Sequence, residues 1–175
     1  IQNATDGLSA LSELASRLRV TSEFKADRFL EDYSRDRFGR LLLYLLIFDR
    51  GAIDWISKVR IGFDKGATSL NEGFLPEWHH IFPRAVLKNA GYDETLCNCL
   101  ANITVLNEAT NRNKIRAKMP ELYVQQYNIG DDVLEHHLIP RETSLAVSTY
   151  DDFVISRAEL LADSATAYFQ RLLQD

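Results

Sequence analysis

The sequence HHIFP at residues 79–83 decides how we interpret this chain of 175 residues. Residues 77–81 are short and bulky, which predicts a β-strand, and Pro83 ends it because proline cannot donate to a sheet. Consecutive side chains on an ideal strand point to opposite faces. We therefore expect the strand to twist or open near Pro83, so that His79 and His80 can serve one site.

A second strand and a helix follow at short range. Residues 102–106 (NITVL) are rich in β-branched side chains and predict a strand, and residues 107–117 predict a helix. A neutral histidine has one ring nitrogen free to bind a metal or to accept a proton, and Asn111 offers an amide oxygen early on the helix. The order strand, loop, strand, helix predicts an antiparallel pair of strands with the helix packed against it.

The rest of the chain predicts helices that flank this small unit. A unit of two strands and one helix cannot bury a core alone, so the flanking helices must cover it. The predicted fold is mainly α, with a small ββα unit at residues 77–118 embedded in a single helical domain over residues 1–175. The predicted helices are 7–19, 23–33, 36–49 (ending near Gly51), 84–90, 120–127 (beginning at Pro120), 132–138 and 150–173, and residues 62–76 predict a loop.

The composition is that of an ordinary globular protein, with 46% hydrophobic and 26% charged residues. The longest apolar run, residues 41–48, is too short to span a bilayer, and no signal peptide is recognised. Because the chain begins at Ile1, we expect it to be a piece of a longer protein. Cys97 and Cys99 supply at most half of a zinc site, so we expect two ordinary thiols in a reducing, cytoplasmic setting.

The net charge of −5 argues against a nucleic-acid binder, but its distribution does not. Residues 79–118 contain 6 basic against 3 acidic side chains, whereas residues 119–175 contain 3 against 10. The one basic stretch therefore coincides with the paired histidines and the spaced asparagines. Its side chains are either a solvated helix face or contacts for a polyanion.

Together, HHIFP, NITVL and the NRNK that begins at Asn111 resemble the pattern of the HNH (His-Me finger) endonucleases. Asn102 and Asn111 are nine residues apart, as in that family. The wider run from Trp78 to Tyr123 looks like the GmrSD-type branch, and the resemblance extends over about residues 40–125. It implies a ββα-metal unit, in which a β-hairpin and a helix hold one divalent metal ion.

Carried over residue by residue, the resemblance implies distinct roles for four side chains. His80 is the expected general base, oriented by a backbone carbonyl of the loop near Asn102. Asn102 is expected to brace that loop by hydrogen bonds. His79 and Asn111 are the expected metal ligands.

The resemblance also implies the cofactor and the contacts with substrate. Some relatives have a second helical ligand where this chain has Ile115, which cannot bind a metal. Two neutral ligands with several waters suit hydrated Mg²⁺ or Mn²⁺ better than a closed zinc site. The expected products are a 5′-phosphate and a 3′-hydroxyl. The basic side chains expected to hold DNA phosphates are Arg84, Arg112, Lys114, Arg116 and Lys118.

The expected function is a metal-dependent DNA endonuclease that acts in bacterial anti-phage or restriction defence. Relatives in this branch carry an upstream ParB-like, nucleotide-dependent domain, and oligomers are compatible with the sequence. The alternative is a catalytically silent module that binds DNA or a protein partner, and RNA is a weaker substrate option. The pair His136-His137 is interpreted as two ordinary polar residues. Asp54 is either a group that holds a site residue in place without binding the metal, or the N-cap of a helix.

Overall fold

The computed structural model of the protein describes residues 23–62 and 74–173, and within these ranges it is mainly helical. Two strands form a small antiparallel sheet, so the coarse prediction of a mainly α fold with a small two-stranded unit is confirmed. None of the helices in these ranges is long and apolar enough to cross a membrane. The helices are α1 (Arg37–Asp49), α2 (Arg84–Asn89), α3 (Glu94–Cys97), α4 (Pro120–Gln126), α5 (Asp131–His136) and α6 (Tyr150–Leu172), the 3₁₀ turns are Ala26–Leu30, Leu100–Asn102 and Val147–Thr149, and the strands are β1 (Pro76–His80) and β2 (Ile103–Asn107).

The two strands pair as the sequence predicts, each within one residue of its expected bounds. Pro76 lies opposite Asn107, and His80 lies opposite Ile103 at the other end of the ladder. Every residue of β2 is buried, whereas in β1 only His79 is buried and the other residues are half-buried or exposed. β2 is therefore the inner strand, and β1, which carries the two histidines, lies closer to the surface.

The helix that follows β2 differs from the prediction in its geometry. After Glu108 and Ala109 it becomes a π-helix over Thr110–Ile115, and the backbone NH of Arg116 donates to Asn111 O at 2.8 Å. This wider turn brings residues five apart toward one face, as Thr110 and Ile115, both buried, require. The predicted end at residue 117 is too late, since the backbone reverses at Arg116 with φ of +58°.

The long helix α6 packs against the 3₁₀ turns Ala26–Leu30 and Leu100–Asn102 and carries a buried cation. Arg157 is fully buried, and its guanidinium donates to four backbone carbonyls. Two of these, Ala101 O at 2.7 Å and Ile103 O at 2.8 Å, flank Asn102. The other two belong to Leu138, at 3.1 Å, and His137, also at 3.1 Å. Arg157 thus ties the start of β2 to the end of α5.

His137 is not the ordinary polar residue that the sequence suggested, whereas His136 is exposed. His137 is fully buried, with Nδ1 2.7 Å from the hydroxyl of Thr104 and Nε2 2.8 Å from the carbonyl of Ile53. A carbonyl only accepts, so Nε2 carries the proton and Nδ1 accepts from Thr104. His137 therefore links β2 to the segment after α1.

Most of the predicted helices form close to their expected bounds, and two expectations need comment. Helix α1 ends with Gly51 at φ of +71°, the C-terminal cap that the sequence indicated. The helix predicted for 23–33 is wrong, since only the 3₁₀ turn Ala26–Leu30 forms there. The predicted helix 7–19 and nearly all of the predicted loop 62–76 lie outside the described residues. Both cysteines, Cys97 and Cys99, are buried free thiols.

Candidate functional site

One buried side chain, that of Asn102, holds the turn after His80 by hydrogen bonds. Asn102 Oδ1 accepts from the backbone NH of Phe82 at 2.9 Å. Its Nδ2 donates to Phe82 O at 3.0 Å and to Cys97 O at 2.9 Å. The carbonyl of Asn102 also accepts from Ile81 N at 2.9 Å. These bonds are the bracing contacts expected of Asn102, and they fix where the end of β1 releases its side chains.

The two residues expected to bind metal lie against each other. His79 Nδ1 is 2.7 Å from Asn111 Oδ1, which joins the edge strand to the π-helical segment. The Asn111 Nδ2 donates to Glu77 Oε2 at 3.0 Å and approaches Trp78 O at 3.4 Å. Both of those atoms can only accept, so the amide orientation is fixed and Oδ1 must face His79. Nδ1 of His79 therefore carries its ring proton.

The environment of His79 keeps it neutral. Only 3% of the residue is exposed, and its ring lies edge-on to those of Trp55 and Tyr123. This burial lowers the pKa of His79 to about 4. Since Nδ1 is protonated, Nε2 holds an unshared lone pair, and it is buried without a hydrogen-bond partner among the described residues. An uncompensated buried acceptor of this kind is uncommon in proteins.

His80 points to the other side of the strand and is less buried. Its Nε2 lies 3.0 Å from Asn98 Oδ1, and its ring meets that of Tyr33 edge-on with centroids 5.5 Å apart. The expected partner was a backbone carbonyl near Asn102, and the structure has a side-chain oxygen instead. Burial lowers the pKa of His80, and the positive charge of Arg84 acts in the same direction. The imidazole is therefore neutral at pH 7 and able to accept a proton.

One pocket brings most of the expected site residues together, although the two histidines leave the strand in different directions. It has a volume of about 210 Å³. His79 and Asn111 line it together with His80, although His80 is still paired with Ile103 in the ladder. The basic residues Arg84 and Arg116 lie on its wall. The other lining residues are Trp78, Pro83, Ala85 and Ala117.

Glu77 is a site residue that the sequence interpretation missed. It stands two positions before His79, so both side chains lie on the same face of β1. Glu77 Oε2 accepts from Asn111, and Oε1 is paired with Arg112, whose terminal nitrogen lies 2.6 Å away. Arg112 also pairs with Glu108 at 2.7 Å. The period-2 alternation of a strand was a signal that could have identified Glu77.

The five basic residues expected to hold phosphates divide into two groups. Arg84 and Arg116 line the pocket, although Arg84 is also paired with Glu94. Arg112, Lys114 and Lys118 do not line it. Arg112 is neutralised by its two carboxylates, and Lys118 Nζ donates to Lys114 O and to Tyr127 OH, each at 3.0 Å. Lys114 is exposed and lies on the same π-helical segment as Arg112.

Asp54 anchors the segment that carries Asn111. Its Oδ1 accepts from Asn107 N at 2.7 Å, and its Oδ2 accepts from Thr110 Oγ1 at 2.6 Å. It also caps the turn that follows it, because Oδ2 accepts from the backbone NH and the hydroxyl of Ser57, each at 2.8 Å. The interpretation of Asp54 as a helix N-cap is wrong, since a turn and not a helix follows it. The same buried carboxylate holds the segment that carries Asn111.

Asn98 and Arg157 were also missed, and the sequence contains no local signal for either. Asn98 lies between two cysteines, in a stretch that predicts no element. Arg157 sits on the buried side of a helix, where only tertiary contacts explain a cation.

Comparisons with protein-family models, with curated proteins and with solved structures found no match. Among the described residues, no three His, Cys, Asp or Glu side chains converge as a metal site would need. The candidate set of His79, Asn111 and Glu77 contains an amide oxygen in place of a third such side chain. The resemblance to HNH nucleases therefore stays a prediction.

Proposed function

We propose that the protein is a metal-dependent DNA endonuclease, with His80 as general base. The observation that carries this proposal is the pocket that His79, His80 and Asn111 line together with Arg84 and Arg116. A neutral base, a pair of metal-binding atoms and two cations at one opening are the groups that phosphodiester hydrolysis requires.

Side chains in this pocket and beside it fit a hard divalent cation such as Mg²⁺ or Mn²⁺. An amide oxygen and a carboxylate are oxygen ligands that these ions prefer, and a neutral imidazole adds a nitrogen. His79 and Asn111 would hold the ion, and Glu77, 3.0 Å from the Asn111 amide, supplies negative charge to it. When bound, the metal stabilises the negative charge that develops on the phosphate and on the leaving oxygen.

The residues of this chain perform the proton transfer and hold the substrate. His80, neutral at pH 7, takes a proton from the attacking water, whose oxygen bonds to phosphorus as the bond to the 3′ oxygen breaks. The leaving oxygen is protonated by solvent, which gives a 5′-phosphate and a 3′-hydroxyl. Arg84 and Arg116 hold the flanking phosphates, a contact that carries no base specificity.

A plasmid-nicking assay tests the proposal. Supercoiled DNA is incubated with the protein in Mg²⁺, in Mn²⁺ and in chelator, beside the variants His80→Ala and His136→Ala. We expect metal-dependent nicking that falls about 10²–10⁴-fold in His80→Ala, the usual range for a positioned base. The exposed His136 is the matched control and should leave the rate unchanged. Full activity of His80→Ala would remove His80 as the general base, and absence of metal-dependent nicking by the wild-type protein would remove the nuclease assignment.

A specific observation supports the alternative of a silent binding module. The Arg112–Glu77 ion pair and the His79–Asn111 hydrogen bond satisfy the candidate ligands within the protein itself. In that case DNA binding should persist in the absence of any cleavage in either metal. The upstream ParB-like domain, the role in bacterial defence and the cytoplasmic setting stay predictions of the resemblance.

A further inference from the structure

Three side chains form a hydrogen-bonded chain that ends on His80. His80 Nε2 lies 3.0 Å from Asn98 Oδ1. On its other side, Asn98 Nδ2 donates to Glu94 Oε1 at 2.8 Å. Glu94 is in turn paired with Lys88 and Arg84, and the hydrogen bond from Lys88 lowers the pKa of Glu94. Glu94 is therefore a carboxylate that only accepts.

The direction of this chain fixes the proton on the His80 ring. Because Glu94 only accepts, Asn98 must present its NH₂ group to it and its oxygen to His80. An amide oxygen also only accepts, so His80 Nε2 must be the donor. Nδ1 then holds the free lone pair, and no protein partner for it is found among residues 23–62 and 74–173.

Other contacts hold Asn98 where this chain needs it. Its carbonyl accepts from Tyr33 N at 2.9 Å, and the Tyr33 ring packs edge-on against His80. The preceding carbonyl, of Cys97, accepts from Asn102 Nδ2 at 2.9 Å. The turn that carries Asn98 is thus attached both to the aromatic neighbour of His80 and to the side chain that braces the end of β1.

We propose that Asn98 is a positioning residue that fixes His80 in its Nε2–H tautomer, so that Nδ1 is the nitrogen that takes the proton from water. The effect of this tautomer on cleavage rests on the proposed nuclease function, whereas the tautomer itself is a property of the free protein. The Asn98 side chain accepts the hydrogen bond for which the resemblance implied a backbone carbonyl. Unlike a backbone carbonyl, this side chain can be changed by mutation.

The tautomer is measured by long-range ¹H–¹⁵N NMR of the protein, without DNA or metal, at a pH where His80 is neutral. We expect His80 as a single Nε2–H form, like the buried His137. The exposed His136 reports the mixture that water allows. In Asn98→Leu the acceptor is gone, so His80 should shift to the mixture that His136 shows. Asn98→Asp, combined with Glu94→Gln so that two carboxylates do not face each other, keeps an acceptor for His80 and should restore the single form.

Cleavage then tests whether the tautomer matters. We expect Asn98→Leu to lower the nicking rate about 10–100-fold at saturating metal, the usual cost of removing an orienting partner, with the metal concentration for half-maximal rate unchanged. The double change Asn98→Asp with Glu94→Gln should recover most of the rate. Lys88→Gln, which removes a partner of Glu94 and leaves the hydrogen bond between Asn98 and His80 intact, is the matched control with wild-type rate.

Each result bears on one proposal or the other. A mixture or an Nδ1–H form of His80 in the wild-type spectrum overturns the inference without any variant. A single Nε2–H form that survives in Asn98→Leu, or a wild-type rate in that variant, also overturns it. Absence of cleavage by the wild-type protein, with the His80 tautomer as expected, instead removes the proposed function and leaves the tautomer assignment in place.

Discussion

His79 Nδ1 and Asn111 Oδ1 are 2.7 Å apart, and the Asn111 amide is oriented so that the proton between them belongs to His79. A cation binds an imidazole nitrogen only through its lone pair. Metal binding at Nδ1 therefore requires that the proton move to Nε2, the atom that is buried without a hydrogen-bond partner among the described residues.

The first prediction is that Mg²⁺ switches the tautomer of His79. Without metal its ring should be Nδ1–H, and at saturating Mg²⁺ it should become Nε2–H, because the lone pair must face the ion. Long-range ¹H–¹⁵N NMR during a Mg²⁺ titration measures this directly, and His137 should not change. If His79 stays Nδ1–H at a concentration that saturates the nicking rate, Nδ1 of His79 is not a ligand.

The second prediction separates the ligands from the base. His79→Ala, Asn111→Ala and Glu77→Gln should each weaken metal affinity by about 10-fold or more, because each removes a donor or the negative charge beside one. Excess metal should partly restore their nicking rates. His80→Ala should keep its metal affinity, and excess metal should not restore it. Metal titrations of the four variants give the answer, and the reverse pattern would exchange the two histidine roles.

The third prediction concerns the strained backbone at Arg116, where φ is +58° and ψ is −128°. Such a conformation costs a side-chain-bearing residue about 1–3 kcal/mol, and glycine adopts it freely. Arg116→Gly should therefore leave the free energy of unfolding unchanged or raise it by up to about 1 kcal/mol. The same variant should lower the salt dependence of DNA binding by about one phosphate contact.

Arg116→Lys is the matched control, since it keeps both the charge and the strain. Denaturant unfolding and fluorescence anisotropy at several salt concentrations measure the two effects. An unchanged salt slope in Arg116→Gly would show that the guanidinium does not touch phosphate.

The fourth prediction is a loss of stability in acid that belongs to His137. Burial lowers the pKa of His137 to about 4, whereas an unfolded histidine titrates near about 6.5. The unfolded chain therefore binds a proton that the native state excludes, so stability is full above about pH 6.5 and falls as the pH drops toward about 4. The contribution is roughly 3 kcal/mol.

Comparing the pH dependence of unfolding in His137→Gln with that of the wild-type protein isolates this contribution. The variant should be less stable at pH 7 and should lose less stability between pH 6.5 and 4. His136→Gln, one residue away at the surface, should keep the wild-type slope. Equal slopes in all three proteins would contradict the assignment.

The fifth prediction concerns Arg157. Arg157→Met keeps an apolar stem of similar length but leaves four buried carbonyls without their donor. The free energy of unfolding should fall by about 3–5 kcal/mol, the range seen when one partner of a buried charge interaction is removed. Chemical denaturation measures it. Arg171→Met, which breaks the exposed pair with Asp49 and the contact with the Tyr168 ring, should cost less than about 1 kcal/mol.

The sequence was informative wherever local chemistry decides structure. Gly51 predicted the end of α1, Pro120 predicted the start of α4, and β-branched residues predicted β2, because caps, proline and branching act within a few residues. The resemblance implied that Asn102 braces a loop by hydrogen bonds, and the structure has such bonds to the turn at Phe82. The resemblance also implied that His79, His80 and Asn111 serve one site, and all three line one pocket.

The sequence was uninformative where distant groups decide. The π-helical segment places Thr110 against Asp54 and Asn111 against His79. These partners are 56 and 32 residues apart in sequence. Arg112 looked like a phosphate ligand because its partner Glu77 lies 35 residues earlier in sequence and on another element. No periodicity or composition indicates such pairs, since only the folded chain brings them together.

The four carbonyls held by Arg157 have a consequence for anyone who wishes to transplant this unit. Residues 77–118 look like a portable module in sequence, yet their geometry depends on atoms outside them. Arg157 donates to the carbonyls on both sides of Asn102. Asp54 accepts a hydrogen bond at the start of the π-helical segment, and His137 accepts one from Thr104 of β2. A graft of 77–118 into another scaffold would leave those groups behind. What must be moved intact is therefore the surrounding helical frame together with residues 77–118.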